Sequence, residues 1–182
     1  MRKLIGSALL LAALAVTAAE LEAQRRPARR RAPPPAPAQR ASFGVQFDWG
    51  SDTDVGIGGR VVFGLKAIAP RVPLDGIVSF DYYFPSAPAG TDNNFWELNG
   101  NVAYRFRVAR SSLGPYAGGG LNIGHASTTV AGISGSDTKA GLNLLAGTTF
   151  KARNFTPFAE FRGVVGDFNQ VVLTGGIRFS LR

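Results

Sequence analysis

Eight consecutive segments of the chain alternate apolar and polar residues, and Gly, Pro, Asn, Asp or Ser bounds each segment. A period of two is the pattern of a β-strand that has one apolar face. The last segment, residues 170–182, ends the chain on such a strand, and pairing it with the first strand is the simplest way to cover its open edge. The sequence therefore predicts an all-β fold, an eight-stranded antiparallel up-and-down barrel.

The predicted strands, in order, are residues 42–50, 55–68, 74–84, 94–107, 113–126, 138–151, 154–166 and 170–182. Large apolar residues occupy alternate positions of the first four: Phe43, Val45, Phe47 and Trp49; Ile57, Val61, Phe63 and Leu65; Val78, Phe80, Tyr82 and Phe84; and Trp96, Leu98, Val102, Tyr104 and Phe106. The last four contain more glycine and alanine, and their apolar positions are Leu121 and Ile123; Leu142, Leu144, Ala146 and Phe150; Phe155, Ala159, Phe161 and Val165; and Val171, Leu173, Ile177 and Phe179.

The connections between the predicted strands alternate in character. Short turns, centred on residues 69–73, 108–112 and 152–153, follow the second, fourth and sixth strands. The third and fifth strands are followed by longer loops, residues 85–93 and 127–137. Because an even number of strands returns both chain ends to one side, short turns on that side and longer loops opposite match the arrangement of outer-membrane barrels.

The position of the aromatic residues predicts which face meets lipid. Trp49, Tyr82 and Trp96 lie near the long-loop end, whereas Phe106 and Phe150 lie near the other. Two aromatic girdles around an aliphatic middle are typical of a lipid-facing band, and the glycine-rich opposite face suits a narrow lumen. We therefore expect a transmembrane β-barrel; the alternative is a soluble lipocalin-like barrel, in which the apolar face would point inward.

The N-terminal residues have the pattern of a secretory signal peptide, residues 1–23, cleaved after Ala19 or Ala23. An uncleaved membrane anchor is the alternative. A disordered basic Pro/Arg-rich linker follows at residues 24–41, and the barrel domain occupies residues 42–182. The linker is either a solvated spacer or an electrostatic tether to an anionic partner, and its clustered arginines are Arg25, Arg26, Arg29, Arg30 and Arg31.

Composition excludes several classes of protein. The 182 residues include no Cys, which excludes a disulfide framework, a thiolate metal site and a lipid-modified cysteine anchor. The formal charge is +8, but residues 24–40 alone carry six arginines and no acidic residue. Because the excess charge belongs to the tail rather than to the predicted fold, a nucleic-acid-binding domain is not expected.

Residues 42–182 resemble the small eight-stranded outer-membrane β-barrel proteins of Gram-negative bacteria, the OmpA transmembrane-domain and OmpX-like group. The resemblance rests on the eight alternating segments, on the Gly-rich run at residues 114–120 and on the end Gly-Gly-Ile-Arg-Phe at residues 175–179. It implies insertion by the outer-membrane barrel-assembly machinery, which reads an aromatic signal in the last strand. This chain departs from that signal, since Phe179 stands three residues before the final Arg182.

Charged residues also alternate onto the predicted inner face. They are Asp48, Arg60, Lys66, Asp81, Glu97, Arg105, Arg107, Lys139, Lys151, Glu160, Arg162 and Arg178. Because an unpaired charge in a narrow lumen is costly, we expect a salt-bridge plug. In that network Glu97 and Glu160 are shared among Arg105, Arg162 and Arg178. The alternative is a narrow pore whose lining charges select ions.

Catalytic and metal sites are not predicted. The only histidine, His125, lies two residues before Ser127, and small barrels that modify lipid A use a His and a Ser. However, alternation puts His125 on the lipid side, and no acidic residue is close enough in sequence to orient it. Aspartates at the loop ends could bind divalent cations, but aspartate is also common in solvated turns, and that is the better explanation of these residues.

These features together predict a non-catalytic protein of the bacterial outer membrane, without metal or cofactor. We expect a structural or interaction role in the cell envelope, with the N-terminal tail and the C-terminus in the periplasm. The expected partners are outer-membrane lipid and lipopolysaccharide, the assembly machinery and an anionic envelope polymer at the tail. The alternatives are a narrow channel for ions or small solutes and, third, a lipid A-modifying enzyme.

Overall fold

A computed structural model describes residues 41–167 and 169–181. These residues form eight strands: β1 (Ser42–Gly50), β2 (Asp54–Gly64), β3 (Leu74–Phe84), β4 (Thr91–Arg105), β5 (Leu113–Val130), β6 (Ile133–Phe150), β7 (Thr156–Gly166) and β8 (Gln170–Ser180). The predicted signal peptide and the linker arginines lie outside the described residues, so their boundaries remain predictions. No helix within 41–167 or 169–181 is long and apolar enough to span a membrane.

The strands close into a barrel in which every neighbouring pair is antiparallel. Closure joins β1 to β8, with Ser42 opposite Ser180 at one end of the pairing and Gly50 opposite Val172 at the other. The predicted fold class and the predicted pairing of the last strand with the first are therefore confirmed. Both chain ends of the barrel lie on the side of the β2–β3, β4–β5 and β6–β7 turns, which we call the terminal end; the other side is the loop end.

The prediction of a long loop at residues 127–137 is wrong. In the structure β5 and β6 continue through this region and pair from Leu113 with Phe150 to Val130 with Ile133. A two-residue turn joins them, with positive φ at Ala131 (49°) and Gly132 (83°), the conformation of a tight hairpin. The sequence does not reveal these strands because residues 127–129 and 134–137 are small or polar on both faces, so no apolar alternation marks them.

The apolar face points outward, as predicted from the aromatic girdles. Phe47, Ile57, Phe80, Leu121 and Leu144 each expose half or more of their surface on the barrel wall. The inner face buries polar and charged side chains instead, together with a small apolar cluster. That cluster consists of Val62, Ile77, Ala103, Tyr116 and Leu145. The lumen is therefore a packed polar core in a shell of exposed apolar residues.

Glycine on the inner face makes room for the large polar side chains. A Cβ atom at Gly58 would overlap the Asp81 carboxylate on the adjacent strand. A Cβ atom at Gly147 would lie 2.6 Å from the Tyr116 hydroxyl. On the outer face Gly100 meets no such limit, since nothing lies within 4 Å of a Cβ placed there.

Replacing these glycines distinguishes the inner wall from the outer wall. We expect Gly58→Ala to lower the free energy of unfolding by about 1–3 kcal/mol, because the added methyl group overpacks the lumen against Asp81. The matched control Gly100→Ala is expected to change it by less than about 0.5 kcal/mol. Urea unfolding of the refolded protein in lipid vesicles measures both. Equal losses for the two variants would contradict this description of the lumen.

Candidate functional site

The centre of the lumen is occupied by Arg162 of β7, which reaches across to the opposite wall of the barrel. Its Nη2 donates to Glu97 Oε2 of β4 at 2.8 Å, and its Nη1 donates to Asp81 Oδ2 of β3 at 3.2 Å. Nη2 also donates to the Tyr83 hydroxyl at 3.2 Å. Arg162 is 1% exposed and both carboxylates are fully buried, so the barrel is filled with side chains at this level.

A second buried ion pair lies nearer the terminal end and also crosses between non-adjacent strands. Arg60 of β2 makes a bidentate contact with Glu160 of β7, with both N–O distances at 3.0 Å. The Tyr116 hydroxyl donates to Glu160 Oε2 at 2.8 Å, and the Arg60 guanidinium lies 4.2 Å from the centre of the Phe158 ring. Two parallel hydrogen bonds fix the guanidinium geometry more tightly than a single contact would.

Gln46 of β1 connects the two ion pairs. Its Nε2 donates to Asp81 Oδ1 at 2.7 Å and lies 3.3 Å from Asp48 Oδ2, while its Oε1 accepts from Arg60 Nε. Asp48 also accepts a hydrogen bond from the Thr174 hydroxyl at 2.5 Å. The Gln46 amide therefore contacts the Asp81 and Asp48 carboxylates and the Arg60 guanidinium. These contacts join the Arg162 and Arg60 ion pairs into one continuous network.

Asparagine side chains extend the network along β4, β5 and β6. Asn99 donates to Asp81 Oδ2 at 2.9 Å, and its own Oδ1 accepts from Asn122 at 2.7 Å and from Asn143 at 2.8 Å. Asn143 also donates to Asn101 Oδ1 at 2.9 Å. These contacts join three neighbouring strands through side chains as well as through their backbones.

The described part of the lumen contains more buried carboxyl groups than buried cations. The carboxyl groups belong to Asp48, Asp81, Glu97 and Glu160, and the fully buried guanidinium groups to Arg60 and Arg162. Neutral donors from Gln, Asn, Thr and Tyr side chains supplement the two arginines. Each of these carboxylates is therefore held by an ion pair or by hydrogen bonds from neutral side chains.

The five residues of the predicted lumen network do not form one shared set of ion pairs. Glu97 and Arg162 pair with each other, whereas Glu160 pairs with Arg60. Arg105 does not share either glutamate: it contacts Asp75 at 2.8 Å near the terminal end, with half of its side chain exposed. Arg178 forms none of the ion pairs found among the described residues and lies 5.8 Å from the Phe158 ring centre.

The sequence did not identify the correct partners of Glu160, Arg105 and Arg178, and the reason is geometric. Alternation shows which face a residue occupies, but it does not show how deep in the barrel that residue lies or which strand faces it. Arg60 and Asp81 were placed on the inner face, yet nothing in the sequence identified them as the partners of Glu160 and Arg162. Tyr83 and Tyr116 were not predicted as members of the network. The available signal was alternation: Tyr83 lies two residues after Asp81 on β3, and Tyr116 shares the inner face of β5 with Asn122.

A cavity of about 370 Å³ opens above this network at the loop end. Its walls include Asp52, Phe95, Asp137 and Lys139, and its floor is Gln170. Gln170 Nε2 donates to Glu97 Oε1, so the floor is part of the buried network. Asp137 and Lys139 form an ion pair at 3.3 Å, with about half of each side chain exposed. The cavity therefore lies at the loop end and borders the buried network at Gln170.

The histidine considered for catalysis lies on the outer wall. His125 stacks on Trp96 with ring centres 5.2 Å apart, and its Nδ1 lies 2.8 Å from the Thr138 hydroxyl. These two contacts position the ring against the neighbouring strands β4 and β6. In the part of the chain that is described, no group of three or more His, Cys, Asp or Glu residues is arranged to hold a metal ion.

Comparison with known proteins assigns this barrel to a family. The profile of the family described as outer membrane protein beta-barrel domain matches residues 7–154, which include β1 to β6. The chain belongs to this family. The outer-membrane barrel continues beyond the matched region through β7 and β8, which supply Arg162 and the closing strand. No curated protein sequence matches the chain significantly.

Three solved outer-membrane barrels share the fold. The N-terminal β-barrel domain of Pseudomonas aeruginosa OprF superposes with a TM-score of 0.59 at 16% identity, covering 79% of this chain and 99% of that one. Neisserial surface protein A has a TM-score of 0.57 at 21% identity, with coverage of 79% and 97%. The attachment invasion locus protein Ail of Yersinia pestis has a TM-score of 0.56 at 18% identity, with coverage of 79% and 97%.

Removing the central arginine tests the network. We expect Arg162→Met to destabilise the outer-membrane barrel by about 3–5 kcal/mol, because Asp81 and Glu97 would remain buried without their cation. The matched control is Arg105→Gln, which breaks a half-exposed pair and is expected to cost less than about 1 kcal/mol. Urea unfolding in vesicles measures both. A small effect of Arg162→Met would show that the lumen carboxylates do not need this cation.

Proposed function

We propose that this outer-membrane barrel has a structural and interaction role in the cell envelope and is not an enzyme. The observation that carries the proposal is the filled lumen: Arg162 spans it, and Asp81 and Glu97 are fully buried around that guanidinium. The carboxylates there are occupied by ion pairs and hydrogen bonds. His125, which stacks on Trp96 and contacts Thr138, supports a role in positioning the outer wall rather than in proton transfer.

The interaction surface that we propose is the free edge of β6. Residues 133–139 pair with β5 on one side, whereas β7 pairs only with residues from Gly141 onward. Among the described residues no strand covers the other edge, and residues 131–140 are all exposed. An uncovered strand edge presents backbone donors and acceptors to which an extended segment of a partner can add.

The proposed orientation places both chain ends in the periplasm and the β5–β6 hairpin outside the cell. It is supported by the β5–β6 hairpin, which extends past β7 at the loop end, because outer-membrane barrels usually extend farther on their extracellular side. Lipid and lipopolysaccharide would then surround the wall, and the assembly machinery would insert the chain. The aromatic residue nearest the end, Phe179, lies on the exposed face of β8.

We further propose that an anionic envelope polymer binds the arginine-rich tail at Arg25, Arg26, Arg29, Arg30 and Arg31. The Yersinia pestis protein Ail has been solved in complex with the heparin analogue sucrose octasulfate, so a barrel of this fold can bind a polyanion. Here the loop end carries Asp52, Asp54, Asp92, Asp137 and Asp167. An anionic polymer is therefore better matched to the tail than to the loops.

A narrow channel is the second candidate function, and the charge of the lumen favours it for cations. Four buried carboxyl groups against two buried arginines would select cations if water could pass. The side chains that fill the lumen at Arg162 argue against the passage of water and ions.

Planar bilayer recording of the refolded mature protein separates the two functions. We expect no unitary currents, because the Arg162 ion pairs close the lumen; protease protection checks insertion independently. Reproducible currents that change on Glu97→Gln or Arg178→Gln would overturn the sealed barrel in favour of a pore. Currents that neither substitution alters would indicate a leak around the protein. Recordings from vesicles without protein control for leaks in the bilayer itself.

Cysteine labelling tests the orientation, since the chain has no native cysteine. Ser136 lies exposed on the hairpin and Ser112 lies exposed at the terminal end. A membrane-impermeant maleimide added to intact cells is expected to label Ser136→Cys and to leave Ser112→Cys unlabelled until the outer membrane is opened. The reverse pattern would show that the termini face outward.

A further inference from the structure

Three turns at the terminal end carry a concentration of exposed cations. They connect β2 to β3, β4 to β5 and β6 to β7, and they lie side by side on the rim of the barrel. Each turn contributes two basic residues, all of them exposed: Lys66 and Arg71, Arg107 and Arg110, and Lys151 and Arg153. The sequence of these turns, residues 65–73, 106–112 and 151–155, contains no acidic residue. We call this set of six residues the basic rim.

The opposite end of the barrel has the reverse charge. The described residues at and beside its loops include five aspartates, at positions 52, 54, 92, 137 and 167, and the single lysine Lys139. Lys139 is paired with Asp137, so it does not offset the other aspartates. The barrel therefore has one basic end and one acidic end, and an anionic surface would be attracted only to the basic end.

Exposed apolar side chains alternate with the cations of the basic rim. Ile68 is 83% exposed, and Phe106, Val108 and Phe155 each expose between 42% and 50% of their surface. Phe106 also packs edge-on against Tyr104, with ring centres 5.0 Å apart, where the outer wall meets the terminal end. A rim that bound only a soluble polyanion would gain nothing from exposing these residues. Cations mixed with aromatic and aliphatic side chains are instead typical of a protein surface at a membrane interface.

We propose that the basic rim binds the anionic headgroups of phospholipids in the leaflet where these turns lie. The lysine and arginine side chains contact headgroup phosphates, and Ile68, Phe106 and Phe155 enter the boundary between headgroups and acyl chains. Near an anionic surface each basic residue contributes on the order of a fivefold preference. Headgroup binding does not depend on the proposed interaction role; only the identity of the leaflet follows from the proposed orientation.

Arg105 marks the limit of the basic rim and supplies its control. It lies on the same border of the barrel, but its guanidinium is neutralised by Asp75 at 2.8 Å. A cation already paired with a carboxylate attracts a phosphate less than an unpaired one does. Arg105→Gln therefore changes one formal charge at this end without removing a member of the basic rim, and Lys139→Gln does the same at the opposite end.

The test uses the refolded mature chain in nanodiscs that contain equal amounts of phosphatidylglycerol and phosphatidylcholine. The lipids that remain bound after transfer to detergent are counted by native mass spectrometry. We expect phosphatidylglycerol to be enriched at least fivefold over phosphatidylcholine, and the enrichment to fall as salt is raised. Replacing all six rim residues with glutamine should remove most of it, whereas Arg105→Gln and Lys139→Gln should not. The tail arginines are the same in every variant.

Two results would overturn the proposal: no enrichment of phosphatidylglycerol, or an enrichment that the six-residue variant retains. A further variant with Arg25, Arg26, Arg29, Arg30 and Arg31 changed to glutamine would then show whether the tail is responsible. Rim-dependent binding of inorganic polyphosphate in zwitterionic detergent, without lipid enrichment, would assign the basic rim to a soluble polymer instead. If the six-residue variant fails to fold, as judged by heat-dependent gel mobility, three variants that each change one turn replace it. Each should then lose part of the enrichment.

Discussion

The guanidinium of Arg162 is the interaction on which the rest of this barrel depends. It sits at the centre of the lumen, bonded to Glu97 and Asp81 on the far wall, and it is almost completely buried. Buried ions are tolerated only when they are paired and hydrogen-bonded. The inner face must therefore supply carboxylates and neutral donors at matching depth. With the polar network inside, most of the large apolar residues face outward, and an apolar outer wall of this size is suited to lipid.

An eight-stranded barrel has little internal volume, and the glycines of the inner wall show how it is used. Gly58 leaves space for the Asp81 carboxylate, and Gly147 leaves space for the Tyr116 hydroxyl that bonds Glu160. Large polar side chains and residues without side chains thus alternate around the same wall. Because the lumen is filled in this way, the surfaces left for partners are the two ends and the lipid-facing wall.

The two ends differ in shape as well as in charge. At the loop end the hairpin of β5 and β6 extends past β7 and leaves a strand edge uncovered, next to several aspartates. At the terminal end the three connections are basic and partly apolar. An uncovered edge favours contact with another protein, whereas the mixed rim favours contact with a lipid surface.

The sequence by itself determined the number of strands, their alternation, the lipid-facing side and the closure of β8 onto β1. Each of these follows from a local period of two, which nearby residues are enough to reveal. The polar hairpin at residues 127–137 escaped prediction because strands outside a membrane need no apolar face. The partners of Glu160 and Arg105 escaped it too, since Arg60 and Asp75 are brought to them by strand register and tilt. Only the tertiary structure decided those pairs, because depth inside a closed barrel depends on all eight strands at once.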